Sequence, residues 1–148
     1  MQCAFEEASF GMKNNHGGPF GAVIVCEGEI IGKGHNMVTS TNDPTAHAEI
    51  VAIREACETK KKFHLHDAIL YATCEPCPMC LAAIYWANIK TVFFCYDRND
   101  AATIGFDDNF IYKEISMPMN QRDVKMTKIS LPNDLFDEWM QKQDKIAY

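Results

Sequence analysis

Three donor side chains constrain this chain more than anything else in it. They are His47 in His47-Ala48-Glu49, and Cys77 and Cys80 in Pro76-Cys77-Pro78-Met79-Cys80. One imidazole and two thiolates make a zinc set, and three protein ligands leave a fourth position to water, whose pKa the metal lowers to roughly 7. The two thiolates neutralise the dication. Glu49, close to the histidine but spared from ligation, is free to move protons between that water, a substrate ring nitrogen and a leaving group.

Helix geometry tests whether the set can close. In a regular helix His47 and Glu49 would point about 200° apart, so they share a pocket only if the helix begins at about His47. Asp43-Pro44-Thr45 reads as a loop running into such a start. Cys77 and Cys80 fall on one face of a second helix, with Pro78 suited to its first position. Two helix N-termini would then meet at the metal, where their dipoles and free N–H groups favour thiolates.

Other uses of the same cysteines account for less. Cys74, Cys77 and Cys80 spell C-x-x-C-x-x-C, but Ile84 stands where an iron–sulfur run needs its fourth cysteine. A redox C-x-x-C after a strand leaves His47-Ala48-Glu49 unexplained. A closed structural zinc site would recruit Cys74, yet Cys74 ends an expected strand while the other two open a helix.

Length and charge narrow the setting. The 148 residues fit one domain spanning 1–148, long enough to bury a real core. Seven cysteines, three of them bunched at metal spacing, argue for a reducing, cytoplasmic compartment over a disulfide framework. Glu6 and Glu7 stand where a signal peptide would carry basic residues. The longest uncharged stretch, 76–89, is too short to span a bilayer, so no membrane role is expected. A net charge of −6 argues against nucleic acid, whose phosphates demand a basic patch. Lys60-Lys61-Lys62 is more simply a solvated helix end. A small neutral substrate is expected.

Along the chain, 2–13 reads as a helix, broken by Gly17-Gly18-Pro19. Strands are expected at 20–26 and 29–34, joined as a hairpin at Glu27-Gly28. Ile50, Ile53 and Cys57 give helical spacing over 47–58. Apolar runs at 68–73 and 91–96 flank the 77–88 helix, and this strand–helix–strand unit predicts a parallel pair with helices on both sheet faces. Beyond that, 97–109 is polar and 124–130 reads as an edge strand. Asp134 is expected to cap a helix pairing Leu135 with Trp139 and Phe136 with Met140. Taken alone, Tyr148 at the terminus reads as a frayed end.

These residues carry a family resemblance. The pairing H-x-E with P-C-x-x-C is the zinc nucleobase-deaminase pattern. The chain resembles the cytidine deaminase superfamily and, within it, the bacterial guanine deaminases. The likeness runs through Gly17-Gly18-Pro19-Phe20-Gly21, Asn42-Asp43-Pro44-Thr45-Ala46-His47-Ala48-Glu49 and Cys74-Glu75-Pro76-Cys77-Pro78-Met79-Cys80 into Ala83-Ile84-Tyr85-Trp86-Ala87. His-Ala-Glu and Pro-Cys identify only the superfamily, since tRNA adenosine and cytosine deaminases share them. Asp100-Ala101-Ala102, the run from Gly105-Phe106-Asp107-Asp108 to Ile115, and the terminal tyrosine resemble guanine deaminases in particular.

The resemblance implies a three-layer α/β/α sandwich of cytidine deaminase-like fold around a central five-stranded mixed sheet. It implies a homodimer that exchanges its C-terminal helix and tail, about 132–148, so that Tyr148 closes the neighbouring site. It implies zinc on His47, Cys77 and Cys80, and Glu49 as proton shuttle with Asp108 as a second catalytic carboxylate. Asn36, Asp108 and Tyr148 would contact the purine, with Ala48 beside them and Phe20 and Trp86 walling the ring. The implied reaction is hydrolysis of guanine to xanthine and ammonia, by attack of zinc-bound hydroxide on carbon 2.

The purine contacts have a physical case of their own. Guanine offers N–H donors at nitrogen 1 and at its exocyclic amine, so Asp108 complements it, whereas adenine would leave that acceptor unpaired. The residues alone also allow Asp108 as a helix cap, Asn36 as an ordinary loop residue, and Phe20 and Trp86 as core. Another base, cytosine or adenosine in tRNA, is the alternative substrate.

Overall fold

The protein is described here from a computed structural model covering residues 1–147. Its elements run α1 (Gln2–Lys13), β1 (Gly21–Cys26), β2 (Glu29–His35), α2 (Val38–Thr41), α3 (Ala48–Lys60), β3 (Ala68–Cys74), α4 (Pro78–Trp86) and β4 (Thr91–Tyr96). Then come α5 (Arg98–Thr103), α6 (Asn109–Ser116), a 3-10 turn at Met119–Gln121 and α7 (Leu135–Gln141).

The sheet order is β2-β1-β3-β4. β1 pairs antiparallel with both β2 and β3, and β3 pairs parallel with β4 across the α4 crossover. Glu27 and Gly28 turn the hairpin with φ of 53° and 83°, the left-handed pair that matches the twist of the strands it joins.

Close approaches on opposite faces set the layers. A Cβ on Gly21 would lie 2.0 Å from the Ala4 carbonyl of α1, and one on Gly32 would lie 2.4 Å from the Ala52 carbonyl of α3. Ala4 and Ala8 are buried on the first face. Ala22, Ile24, Leu70 and Ala72 bury against Ala48, Ala52, Ala56 and Ile84 of α3 and α4 on the second. Small residues at these contacts let the helices lie close to the sheet, and the start of α3 is thereby fixed over the end of β2.

The fold is α/β with one mixed sheet of four strands among the described residues, not five. The expected strand at 124–130 is irregular and exposed, with Val124 at 71%. A strand exists only through its ladder, and among the described residues no sheet edge pairs with this segment; β4 is an edge of the sheet there, with Phe93 and Tyr96 half exposed. α7 forms over the expected residues, but its cap differs: Asp134 makes no capping bond, and Asn133 Oδ1 instead accepts from the Leu135 N–H at 3.3 Å. Among the described residues no helix is long and apolar enough to cross a membrane. Tyr148 lies outside the described residues.

Candidate active site

α3 and α4 begin beside each other, and their first residues carry the donor set. His47 is the N-cap of α3, with extended backbone at φ −71° and ψ 155°. Cys77 is the N-cap of α4 at φ −63° and ψ 168°, with Pro78 opening the helix. Because His47 is still off the helix, its ring and the Glu49 carboxylate escape the divergence a continuous helix would impose.

His47 Nδ1 stands 3.5 Å from Cys77 Sγ and 3.6 Å from Cys80 Sγ. Tetrahedral zinc, with its usual bonds to sulfur and nitrogen, would hold S and N about 3.6 Å apart. The three donor atoms lie within 4.8 Å of one another, and no other such group occurs among the described residues. Cys74 points elsewhere and donates its thiol to the Asp97 carbonyl at 3.6 Å. Burial pushes that thiol up to about 11. The donor set therefore has three members and an open side, which is the catalytic pattern.

The ionisation of the site suits a cation. A hydrogen bond from the Cys80 thiol, and after it one with His47, hold Cys77 down to about 4 against the cost of burial. Cys80 is pushed far up, first by that same bond and then by burial. On a bound dication both sulfurs would be thiolates. His47 is raised, chiefly by its bond to Cys77. Glu49 is 8% exposed, and burial raises its carboxyl above the usual range. Its Oε2 accepts from Cys80 Sγ at 3.5 Å.

His47, Cys77 and Glu49 floor a cavity of about 460 Å³, with Asn36, Phe20 and Asp108 on its walls; Cys80 is fully buried beneath it. Asn36 is buried and its Oδ1 accepts from the Val38 N–H at 3.1 Å, which leaves the amide NH2 as the donor for an occupant. Asp108 stands at the N-cap of α6 yet caps nothing with its side chain; Asp107 accepts from the Asn109 N–H at 2.9 Å. Asp108 Oδ1 is buried and finds no hydrogen-bond partner among the described residues. Such an orphan costs about 1–3 kcal/mol or more for a charged group, so it marks a place where a donor is meant to arrive. Burial first, then the charge on Cys77, raise this carboxyl too.

Two expected contacts fall elsewhere. Trp86 ends α4, about 12 Å along the helix from Pro78, and is 66% exposed away from the cavity of its own chain. Ala48 sits at the first position of α3, with its side chain in the core rather than the cavity. Sequence reasoning overlooked Phe106, whose ring meets Phe20 edge-on at 4.9 Å, and Glu75 and Arg98, which also line the cavity. Glu75 lies inside the Cys74-Glu75-Pro76-Cys77 segment and so was within reach; Arg98 carried no local signal.

A zinc site on two helix starts beneath a mixed sheet defines a zinc-dependent deaminase. Residues 1–96 match the cytidine and deoxycytidylate deaminase zinc-binding region, and the chain belongs to that family. Guanine deaminase from Bacillus subtilis is 51% identical over 140 residues, 93% of this chain and 90% of that protein. The crystal structure of guanine deaminase from Bacillus subtilis superposes with a TM-score of 0.95 at 50% identity, covering 99% of this chain and 95% of that one. The tRNA-specific adenosine deaminase of Buchnera aphidicola is 36% identical over 134 residues, 90% of this chain and 85% of that protein.

Proposed function

We propose that this chain hydrolyses guanine to xanthine and ammonia. The observation that carries the reading is the orphaned, buried Asp108 Oδ1 on the wall of a cavity lined by His47, Cys77 and Glu49, with Cys80 buried behind them. The 51% identity to a guanine deaminase over 93% of the chain supports the same substrate.

Bound on His47, Cys77 and Cys80, zinc supplies a Lewis acid that makes water nucleophilic at neutral pH. Asp108 accepts from the N–H groups at nitrogen 1 and the exocyclic amine of guanine, and the Asn36 amide donates to an acceptor on the ring. Phe20 packs on the purine face. Glu49 takes a proton from the attacking water and passes it to nitrogen 3 as oxygen bonds to carbon 2. Glu49 then takes the remaining proton from the hydroxyl now on carbon 2 and, with Asp108 assisting, hands it to the amine; the carbon–nitrogen bond breaks as the carbonyl forms, so one water is consumed and one ammonia leaves. A raised carboxyl pKa fits a group that must hold a proton part of the time.

The working unit in this reading is one deaminase domain over 1–148 in a homodimer that exchanges about 132–148. Exposed apolar side chains support it: Phe93 and Tyr96 on the open β4 edge, Tyr85 at 70%, Trp86, and Leu135 and Phe136 on α7. Surfaces this apolar mark protein interfaces. In this reading exchange brings Tyr148 to the neighbouring site. A net charge of −6 fits a free base better than RNA, and seven unpaired cysteines fit a reducing cytoplasm.

Ammonia release from zinc-loaded protein given guanine, adenine, cytosine or a tRNA anticodon stem separately tests the reading. Release from guanine alone is expected. Release from adenosine in the tRNA stem and not from guanine overturns it.

A further inference from the structure

The cavity wall contains one cation, Arg98, that neither the metal set nor the purine contacts employ. Its Nε donates to Glu75 Oε2 at 3.2 Å, and its main-chain N–H reaches the same oxygen at 3.2 Å. Its Nη2 pairs with Glu75 Oε1. The guanidinium carbon lies 4.0 Å from the centroid of the Tyr112 ring. Tyr112 in turn donates its hydroxyl to the Pro76 carbonyl at 3.2 Å. The contacts thus leave the loop before α4 at Glu75, cross Arg98 at the first turn of α5, pass to α6 through Tyr112 and return to the same loop next to Cys77.

α6 needs an anchor of this kind because it buries no residue of its own. Tyr112 lies one helical turn from Asp108 and so on the same side, with its N–H reaching the Asp108 carbonyl at 3.4 Å. A displacement of Tyr112 is therefore carried to Asp108. The geometry also demands arginine: only a planar fork can bind both oxygens of a carboxylate while stacking a face on an aromatic ring.

We propose that Arg98 is a positioning residue which, by clamping Glu75 to Tyr112, holds α6 and hence Asp108 over the metal set, so that recognition of the base depends on it. The clamp rests on the reading that Asp108 meets the purine. Its role is mechanical and separate from the metal ligands, and its loss leaves zinc in place.

The test compares zinc-loaded wild type with Arg98→Ala, Arg98→Lys, Tyr112→Phe, Asp108→Asn and the Arg98→Ala/Asp108→Asn pair, reading hydrogen exchange, zinc content and kinetics on guanine. Arg98→Ala is expected to speed exchange across residues 109–116 while α4 exchange and zinc content hold. It should cut kcat/KM by about 10- to 100-fold, the usual effect of losing a supporting contact, mainly through KM. Arg98→Lys should recover little, Tyr112→Phe should loosen α6 partway, and Arg98→Ala should cost little further in the Asp108→Asn background. Unchanged α6 exchange in both Arg98→Ala and Tyr112→Phe overturns the clamp, as does full rescue by lysine or an undiminished loss in the double variant. If wild type releases no ammonia from guanine, the functional reading falls, and the exchange data still decide the clamp on their own.

Discussion

The body of the molecule and its last third are built on opposite terms. β1 to β4 with α1, α3 and α4 enclose a core of fully buried side chains such as Ile24 and Leu70, and the metal donors stand on helix starts fixed by that core. α6 and α7 bury no residue. α6 and the segment before it hold to the body through particular side chains, notably Arg98 on Tyr112 and Phe106 on Phe20. The metal donors and Glu49 sit on the rigid part, and Asp108, the carboxylate we propose meets the base, sits on the loosely held part. Such a division lets one chemistry serve different bases, since the wall can change while the metal set stays.

Three variants and one titration probe that division, in descending order of effect. Glu49→Gln should remove turnover on every base by about 10²- to 10⁴-fold, the share carried by a proton shuttle, while metal analysis still finds the zinc. Turnover near wild type would dissolve the role of the body. Asp108→Asn should keep zinc and fold but lower kcat/KM for guanine by about 100-fold, as loss of a charge-assisted contact to the base would; equal losses on guanine and adenine would remove base choice from the last third. Deleting Tyr148 should slow turnover by about tenfold, the worth of one aromatic contact, and leave the sedimentation coefficient of the proposed dimer nearly unchanged. An unaffected rate would remove Tyr148 from the site.

The smallest effect concerns pH. Hydrogen bonds from the backbone of Asp100 and Asn99 hold the Asp97 carboxyl below the usual carboxylate range. A lowered folded-state pKa gives a contribution that is complete above the unfolded pKa of an aspartate and fades as pH falls through the folded value. Amides of α5 should therefore lose exchange protection on acidification before those of α3 do. Simultaneous loss would mean that the capping box contributes nothing separable.

What the sequence made legible follows the same divide. α1 forms over the expected 2–13, and α3 begins where His47 and Glu49 required it to begin, because periodicity and donor geometry are local properties. The stretch 97–109 reads from the sequence only as polar, although Asp97 and Asp100 form a reciprocal capping box at the start of α5, with aspartate in the place usually held by glutamate or glutamine. The segment 124–130 reads as an edge strand but among the described residues pairs with no strand, and pairing is a tertiary property. The Glu75, Arg98 and Tyr112 cluster joins three separate elements, and no spacing rule announces it. Trp86 shows the converse: its neighbourhood matches the family pattern, yet helix length carries it away from the cavity.

The most direct measurement is the ratio of kcat/KM for guanine to that for adenine in zinc-loaded wild type, Glu49→Gln and Asp108→Asn. The account predicts strong preference for guanine in wild type, loss on both bases without change of preference in Glu49→Gln, and a collapse of preference in Asp108→Asn with zinc retained. An unchanged preference in Asp108→Asn would contradict the assignment of base choice to that carboxylate.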